Sequence, residues 1–96
     1  MRRLRLSPRA RADLDGIWTY SVQTWNLDQC EAYLRSLDGT MKLLCEQPAL
    51  GTDISDIRGG YRKFPTGSHL LIYKFNSDHL EIIRILHKSS DVVRHV

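Results

Sequence analysis

His69-Leu70-Leu71-Ile72-Tyr73-Lys74-Phe75 and Leu80-Glu81-Ile82-Ile83-Arg84-Ile85-Leu86 are the two runs that decide the fold. Both are rich in β-branched and aromatic residues, and Asn76-Ser77-Asp78 between them has turn chemistry. They therefore read as neighbouring antiparallel strands. A third run, Ile57-Arg58-Gly59-Gly60-Tyr61-Arg62-Lys63-Phe64, precedes them and joins through the turn Pro65-Thr66-Gly67. A small antiparallel sheet ordinarily hides one face and wets the other. Here Leu71, Tyr73 and Phe75 alternate with Leu70 and Ile72, while Leu80, Ile82 and Leu86 alternate with Ile83 and Ile85. Both faces are apolar, so the sheet needs either a covering partner or an unusually thick core.

Upstream of the sheet the period changes from 2 to 3.6. Ser7-Pro8 is a helix start, with a side-chain acceptor at the cap and Pro at the first helical position. Leu14, Ile17, Trp18, Ser21 and Trp25 follow helical spacing and predict a helix over Pro8–Thr24. Asn26 offers a cap for a second helix over Leu27–Gln47. Its apolar stripe is Cys30, Tyr33, Leu34, Leu37, Met41, Leu44 and Cys45. Gly39 lies off that stripe, as a slight bend or a close contact would place it, and Pro48 stops the helix. So short a link makes the two helices an antiparallel hairpin. Arg3-Leu4-Arg5-Leu6 alternates as a short strand, either at an edge or beside the last strand. Residues 48–56 form a loop, and residues 88–96 a polar tail or one helical turn. The order is β-α-α-β-β-β, an α+β two-layer fold with a helical hairpin on a small, mainly antiparallel sheet.

At 96 residues this is one domain spanning 1–96, able to bury roughly 60 to 65% of its unfolded surface. An apolar share of 42% excludes a disordered chain. No apolar stretch reaches the ~20 residues of a membrane span, and no signal-peptide core follows the basic N-terminus. Both absences point to the cytoplasm. Five of the fourteen Lys and Arg residues fall within the first eleven positions, and the net charge is +3. That is weak support for an acidic or nucleic-acid partner, and solvated surface explains it equally well. Cys30 and Cys45 share one helix about ~22 Å apart, too far for the ~7 Å that a disulfide tolerates. They read as reduced, buried thiols.

Little in the chain announces chemistry. His69, His79, His87 and His95 are scattered, so no metal site is expected. Gly59-Gly60 precedes no helix, and neither a phosphate loop nor a nucleophile elbow is present. One polar set stands out: Arg58, Tyr61, Arg62, Arg84 and His87. If Arg62 and Arg84 lie on neighbouring strands, arginines can stabilise a phosphorane-like charge while His87 or a tyrosine moves protons, as RNA cleavage by 2′-hydroxyl attack requires. The plainer reading makes these residues sheet-surface or partner contacts, since arginine is enriched at interfaces too. Trp18 and Trp25, at i and i+7, read as core packing rather than a base-stacking platform.

The order of short pieces carries a resemblance. Leu6-Ser7-Pro8-Arg9-Ala10, Asp13-Leu14, Ile17-Trp18-Thr19-Tyr20, Trp25, Tyr33, Leu37 and Pro48-Ala49-Leu50-Gly51 resemble the ParE toxins of the RelE/ParE superfamily. So do Ile57-Arg58-Gly59-Gly60-Tyr61-Arg62, His69, Ile72-Tyr73, Ile82, Arg84-Ile85-Leu86-His87 and Asp91. Together they cover nearly the whole chain. Asn26 and Ser90 depart from the glycine and methionine usual in ParE sequences. The resemblance implies a β-α-α-β-β-β toxin of a type II toxin–antitoxin system, poisoning DNA gyrase and covered by a ParD-like antitoxin. It implies a binder rather than a catalyst, no cofactor, and no sequence-specific DNA binding by this chain alone. RelE-type relatives instead cleave mRNA on the ribosome. This chain lacks their lysine-rich helix and C-terminal tyrosine, although His87 stands where some superfamily nucleases carry a catalytic histidine. A non-toxic, antitoxin-binding member is the third alternative. Leu70, Ile72 and Tyr73 are the expected antitoxin contacts. Arg58, Tyr61, Arg62, Arg84 and His87 are the target-binding candidates, and Arg62, Arg84 and His87 the catalytic set if the chain is a nuclease.

Overall fold

The computed structural model describes residues 1–96. Strand β1 (Arg3–Leu6) leads into helix α1 (Pro8–Thr24) and helix α2 (Leu27–Glu46). A 3-10 turn at Pro48–Leu50 follows, then β2 (Thr52–Asp53), β3 (Arg62–Thr66), β4 (His69–Phe75), β5 (His79–His87) and a last helical turn, α3 (Val92–His95). The sheet order is β1-β5-β4-β3-β2, with β1 parallel to β5 and every other pair antiparallel. β1 is thus both the edge strand and the neighbour of the last strand.

The helix starts follow from their caps. The Ser7 hydroxyl accepts from the amide of Ala10 at 3.0 Å and donates to the carbonyl of Ile83 at 2.6 Å, so one side chain starts α1 and clips it to β5. The Asn26 side chain accepts from the amide of Gln29 at 2.8 Å. Each such cap contributes about 1 kcal/mol. On the sheet, the hairpin layer covers Leu71, Tyr73, Leu80, Ile82 and Ile85, against Ala10, Ile17, Leu37, Met41, Leu44 and Cys45. Cys30 and Cys45 are free and buried, and burial raises the Cys45 thiol pKa.

Four expectations need correction. Residues 57–61 are turns rather than strand: Gly60 takes φ +80°, and the amides of Ile57 and Arg58 both donate to the Ile54 carbonyl. The pairing therefore begins only at Arg62, while the preceding loop supplies the unforeseen β2. Second, β5 does not alternate simply. A bulge at Ile83 breaks the register between Tyr73↔Ile82 and Ile72↔Arg84, so Leu80, Ile82 and Ile85 all face the helices. Third, the second apolar face needs no partner to cover it. Ile54, Ile72 and Leu86 form a small core there, with Tyr61, Leu70, Ile83, Val92 and Val96 packed against it. The turns after β2 and the last helical turn do the covering. Fourth, Trp18 and Trp25 are not core residues, at 41% and 39% exposure. The buried line of α1 is Ala10, Ile17 and Ser21, and Trp25 caps the helix where no sheet lies beneath. Gly39 makes no close contact, with nothing within 4 Å of where its Cβ would stand.

Tyr73 ties the far end of the helix layer to the sheet. Its buried hydroxyl accepts from the amide of Gly51 at 2.9 Å and donates to the carbonyl of Pro48 at 2.6 Å. Tyr73→Phe keeps the ring and orphans both backbone groups, which costs roughly 1–3 kcal/mol. Urea unfolding should show a lower midpoint with an unchanged slope; an unchanged midpoint would contradict this account of the hydroxyl.

Candidate functional site

β1 stops at Leu6 because Ser7-Pro8 starts a helix, yet β5 runs on to His87. The last residues of β5 consequently lack a strand on one side, and α1 crosses there. Asp13 fills the gap. Its carboxylate accepts from Arg84 Nε at 2.7 Å, from Arg84 Nη2 at 2.9 Å and from the backbone amide of Ile85 at 2.9 Å. The pair is mostly buried, at 13% and 16% side-chain exposure, and the carboxylate raises the Arg84 pKa further, partly offset by burial. Arg84 also reaches the carbonyl of His95 at 3.4 Å, joining α1 to the last helical turn.

Beside this join lies a cleft of about 490 Å³, walled by α1 through Ala12, Gly16 and Tyr20 and by the ends of the strands through Ser68, His69 and His87. No side chain fills the space at Gly16, where nothing lies within 4 Å of a Cβ position. Four rings run edge to edge along the cleft. Trp25 and Tyr33 are 5.7 Å apart, Tyr33 and His69 5.5 Å, and His69 and His87 5.9 Å. The bulge makes this possible, because it brings His87 directly opposite His69. The Tyr33 hydroxyl accepts from the amide of Ser68 at 2.9 Å and shares a hydrogen bond of 2.5 Å with His69 Nδ1. Gly67 is required beneath this ring: it takes φ +57°, and a Cβ there would stand 2.7 Å from Tyr33 Cε1. Burial, and then the neighbouring His87, push the His69 pKa below its ordinary 6.5, with Asp13 acting weakly the other way. His87 Nδ1 is engaged by Ser89, at 2.7 Å to the hydroxyl and 3.3 Å to the amide.

The residues singled out from sequence do not form one site. Arg62 and Arg84 are not on neighbouring strands, since β4 lies between β3 and β5. Arg62 donates to the Gly51 carbonyl at 2.7 Å and lies 6.0 Å from the centre of the Phe75 ring. Arg58 stacks 5.8 Å over Tyr61 and reaches the carbonyl of Val96 at 3.3 Å. Only His87 opens on the cleft. Ile72 and Tyr73 are fully buried, each in a different core, so neither has surface to lose to a partner; Leu70 is half-buried. Asp13, Tyr33, His69 and Tyr20 went unassigned in the sequence reading, although Asp13, Tyr33, His69 and the Thr19-Tyr20 pair lie within the matched motif order. No group of three His, Cys, Asp or Glu side chains converges to hold a metal ion. No helix is long and apolar enough to cross a membrane. Chemically, the cleft offers imidazole, phenol and indole rings with no lysine or arginine among its lining residues. That suits an apolar or aromatic guest better than a phosphodiester.

The family model described as ParE toxin of type II toxin-antitoxin system, parDE, matches residues 4–92. Toxin ParE1 of Caulobacter vibrioides is 43% identical over 96 residues, covering 100% of this chain and 99% of that protein. Toxin ParE1 of Mycobacterium tuberculosis is 38% identical over 95 residues, covering 98% and 97%. A solved structure described as "Chromosomal ParDE TA system from P. aeruginosa" superposes with a TM-score of 0.74 at 19% identity, over 91% of this chain and 96% of that one, a likeness of fold.

Two outcomes test the site. Removing one member of a buried ion pair costs roughly 3 kcal/mol or more, so Asp13→Ala and Arg84→Ala should each destabilise strongly. The double variant should be less destabilised than the two losses added together; strict additivity in urea titrations would show that the pair is not coupled. For His69, a folded-state pKa below 6.5 means that the unfolded chain binds the proton more readily. Stability should therefore fall as the pH drops below about 6.5, down to the folded pKa. His69→Asn, which keeps an acceptor for Tyr33, should flatten that part of the profile, and an equally steep fall in the variant would assign it to another group.

Proposed function

This chain belongs to the ParE toxin family of parDE type II toxin–antitoxin systems, and from that premise we propose that it arrests growth by binding DNA gyrase and is neutralised by a ParD-like antitoxin. The observation that carries binding over cleavage is the engagement of Arg84 by Asp13. RNA cleavage by 2′-hydroxyl attack needs a cation at the developing phosphorane charge. Here the guanidinium nearest His87 in sequence is neutralised, and Arg62 is bonded to a backbone carbonyl two strands away.

Surface composition supports a binder as well. Trp18, Tyr20, Val22, Trp25 and Leu27 are all exposed on the helical hairpin, and the aromatic ones are of types enriched at protein interfaces. Of the strand residues Leu70, Ile72 and Tyr73, Leu70 alone has area to offer an antitoxin. Arg58 and Tyr61 stay as target-contact candidates on the opposite face, and Arg62 offers only the part of its side chain left half-exposed. The pair of facing histidines favours one second reading, an RNA-cleaving site built on His69 and His87 with Tyr33.

Purified protein added to gyrase should abolish supercoiling, and induced cells should arrest with intact transcripts. His87→Ala should leave that arrest in place. Unchanged supercoiling at stoichiometric excess would count against a gyrase target. Rapid transcript cutting that His69→Ala and His87→Ala remove would establish the nuclease reading instead. No arrest would leave a non-toxic antitoxin-binding member.

A further inference from the structure

His69 and His87 stand directly opposite each other on β4 and β5. Residues so paired on antiparallel strands project from one face, with Cβ atoms about 5 Å apart. Their ring centres are 5.9 Å apart, and both rings line the cleft beside α1. One nitrogen of each ring is already held. His69 Nδ1 meets the Tyr33 hydroxyl, and His87 Nδ1 meets the Ser89 hydroxyl at 2.7 Å. No protein group bonds either Nε2. The other histidines are placed differently: His79 Nε2 lies 3.1 Å from the Arg5 guanidinium, and His95 belongs to α3.

Two imidazoles, each steadied at one nitrogen and free at the other, have the chemistry of transition-metal ligands. A metal-bound histidine characteristically keeps its second nitrogen on a polar partner, which fixes the ring. The spacing agrees. A Zn–N bond is about 2.1 Å and the nitrogen lies about 1.1 Å from its ring centre, so each centre stands about 3.2 Å from a shared cation. Two such centres are then about 5.2 Å apart at a tetrahedral angle and about 6.4 Å apart when the cation lies in line between them. The observed 5.9 Å falls within that span, so side-chain rotation suffices and the strands keep their register. The lining of the cleft holds no lysine or arginine to repel a cation. Burial, and then the facing His87, lower the His69 pKa, which keeps its lone pair available at neutral pH. Asp13 is no third ligand, because Arg84 and the Ile85 amide already occupy its oxygens. Two histidines with water in the remaining positions make an exchangeable site rather than a closed structural one.

We propose that His69 and His87 form a two-histidine site for a divalent transition-metal cation of the zinc class, bound through both Nε2 atoms. Binding leaves the proton of each ring on Nδ1, where the Tyr33 and Ser89 hydroxyl oxygens accept it. The Ser89 amide, 3.3 Å from His87 Nδ1, then turns away. The cation ties the start of β4 to the end of β5. It also withdraws both imidazoles from proton transfer, the role that the RNA-cleaving alternative gives them. The site does not depend on the gyrase reading.

The test uses the full chain without a histidine tag, stripped with a chelator and titrated calorimetrically with zinc chloride about one pH unit above the ordinary imidazole pKa. Its variants are His87→Ala, His69→Asn, and His79→Ala with His95→Ala as a control, each checked for native circular dichroism. NMR follows the ring nitrogens of the four histidines. The wild type should bind one equivalent of zinc, shifting Nε2 of His69 and His87. Affinity should fall about tenfold or more in His87→Ala and in His69→Asn, and stay unchanged in the control. No binding up to about 1 mM zinc overturns the proposal. So does full affinity in His87→Ala, an exposed position where truncation spares the fold even if His69→Asn does not. Loss of the equivalent in the control moves the zinc to His79 and His95 and overturns it as well. Coordination through Nδ1 overturns the assigned geometry.

Discussion

The carboxylate of Asp13 is the contact on which the arrangement of layers depends. A four-residue β1 cannot pair the whole of the nine-residue β5, so the last part of β5 would present unpaired amides at a buried position. Burying an amide without a partner is expensive. Asp13 takes the Ile85 amide and two guanidinium nitrogens of Arg84 together. Desolvating an ion pair is offset only when its remaining hydrogen-bonding capacity is used. Three donors on one carboxylate meet that condition. The result ties α1 to β5 beside the cleft, which Asp13 and Ile85 both line.

The bulge at Ile83 matters for the same region. With strict alternation, Leu80, Ile82 and Leu86 would share a face, and Ile85 would fall on the other. The extra residue shifts the phase, so that Ile85 and His87 join Leu80 and Ile82 under the helices while Leu86 turns to the second core. The middle of β4 can then be apolar on both faces with Leu71, Ile72 and Tyr73 all buried. Leu71 and Tyr73 meet the hairpin layer, and Ile72 meets the turns and the last helical turn. A sheet that looked as if it required a partner is closed by its own connections.

How much of this was legible follows from the range over which each signal acts. Ser7-Pro8, Asn26, Pro48 and the stripe of α2 are local, and the structure has them as read. The β-α-α-β-β-β order follows, because turn residues separate the runs. Residues 57–61 misled because Ile, Arg and Tyr suit a strand, while Gly60 at positive φ suits only a turn. The tryptophans misled because a helical period says which residues share a side, not how far the opposing layer extends. The cleft was hidden by the bulge: counting back from the turn without it puts His69 opposite Leu86 rather than His87. Nothing in the sequence links Asp13 to a backbone amide 72 residues away.

Arginine carries the last lesson, through the difference between charges that build a fold and charges left over. The strand arginines looked functional because they sit among apolar runs, where a charge is costly. For that same reason the fold satisfies them: Arg84 by a carboxylate and a carbonyl, and Arg62 by the Gly51 carbonyl. The N-terminal arginines looked like ordinary solvated surface, and several are exposed. They have no carboxylate partner, although Arg2 donates to the Asn76 carbonyl at 2.6 Å and Arg5 lies 3.1 Å from His79 Nε2, and the apolar side chains of β1 beside them are only half covered. An exposed charge that no carboxylate answers is a better mark of an interface than a charge buried where the fold must answer it.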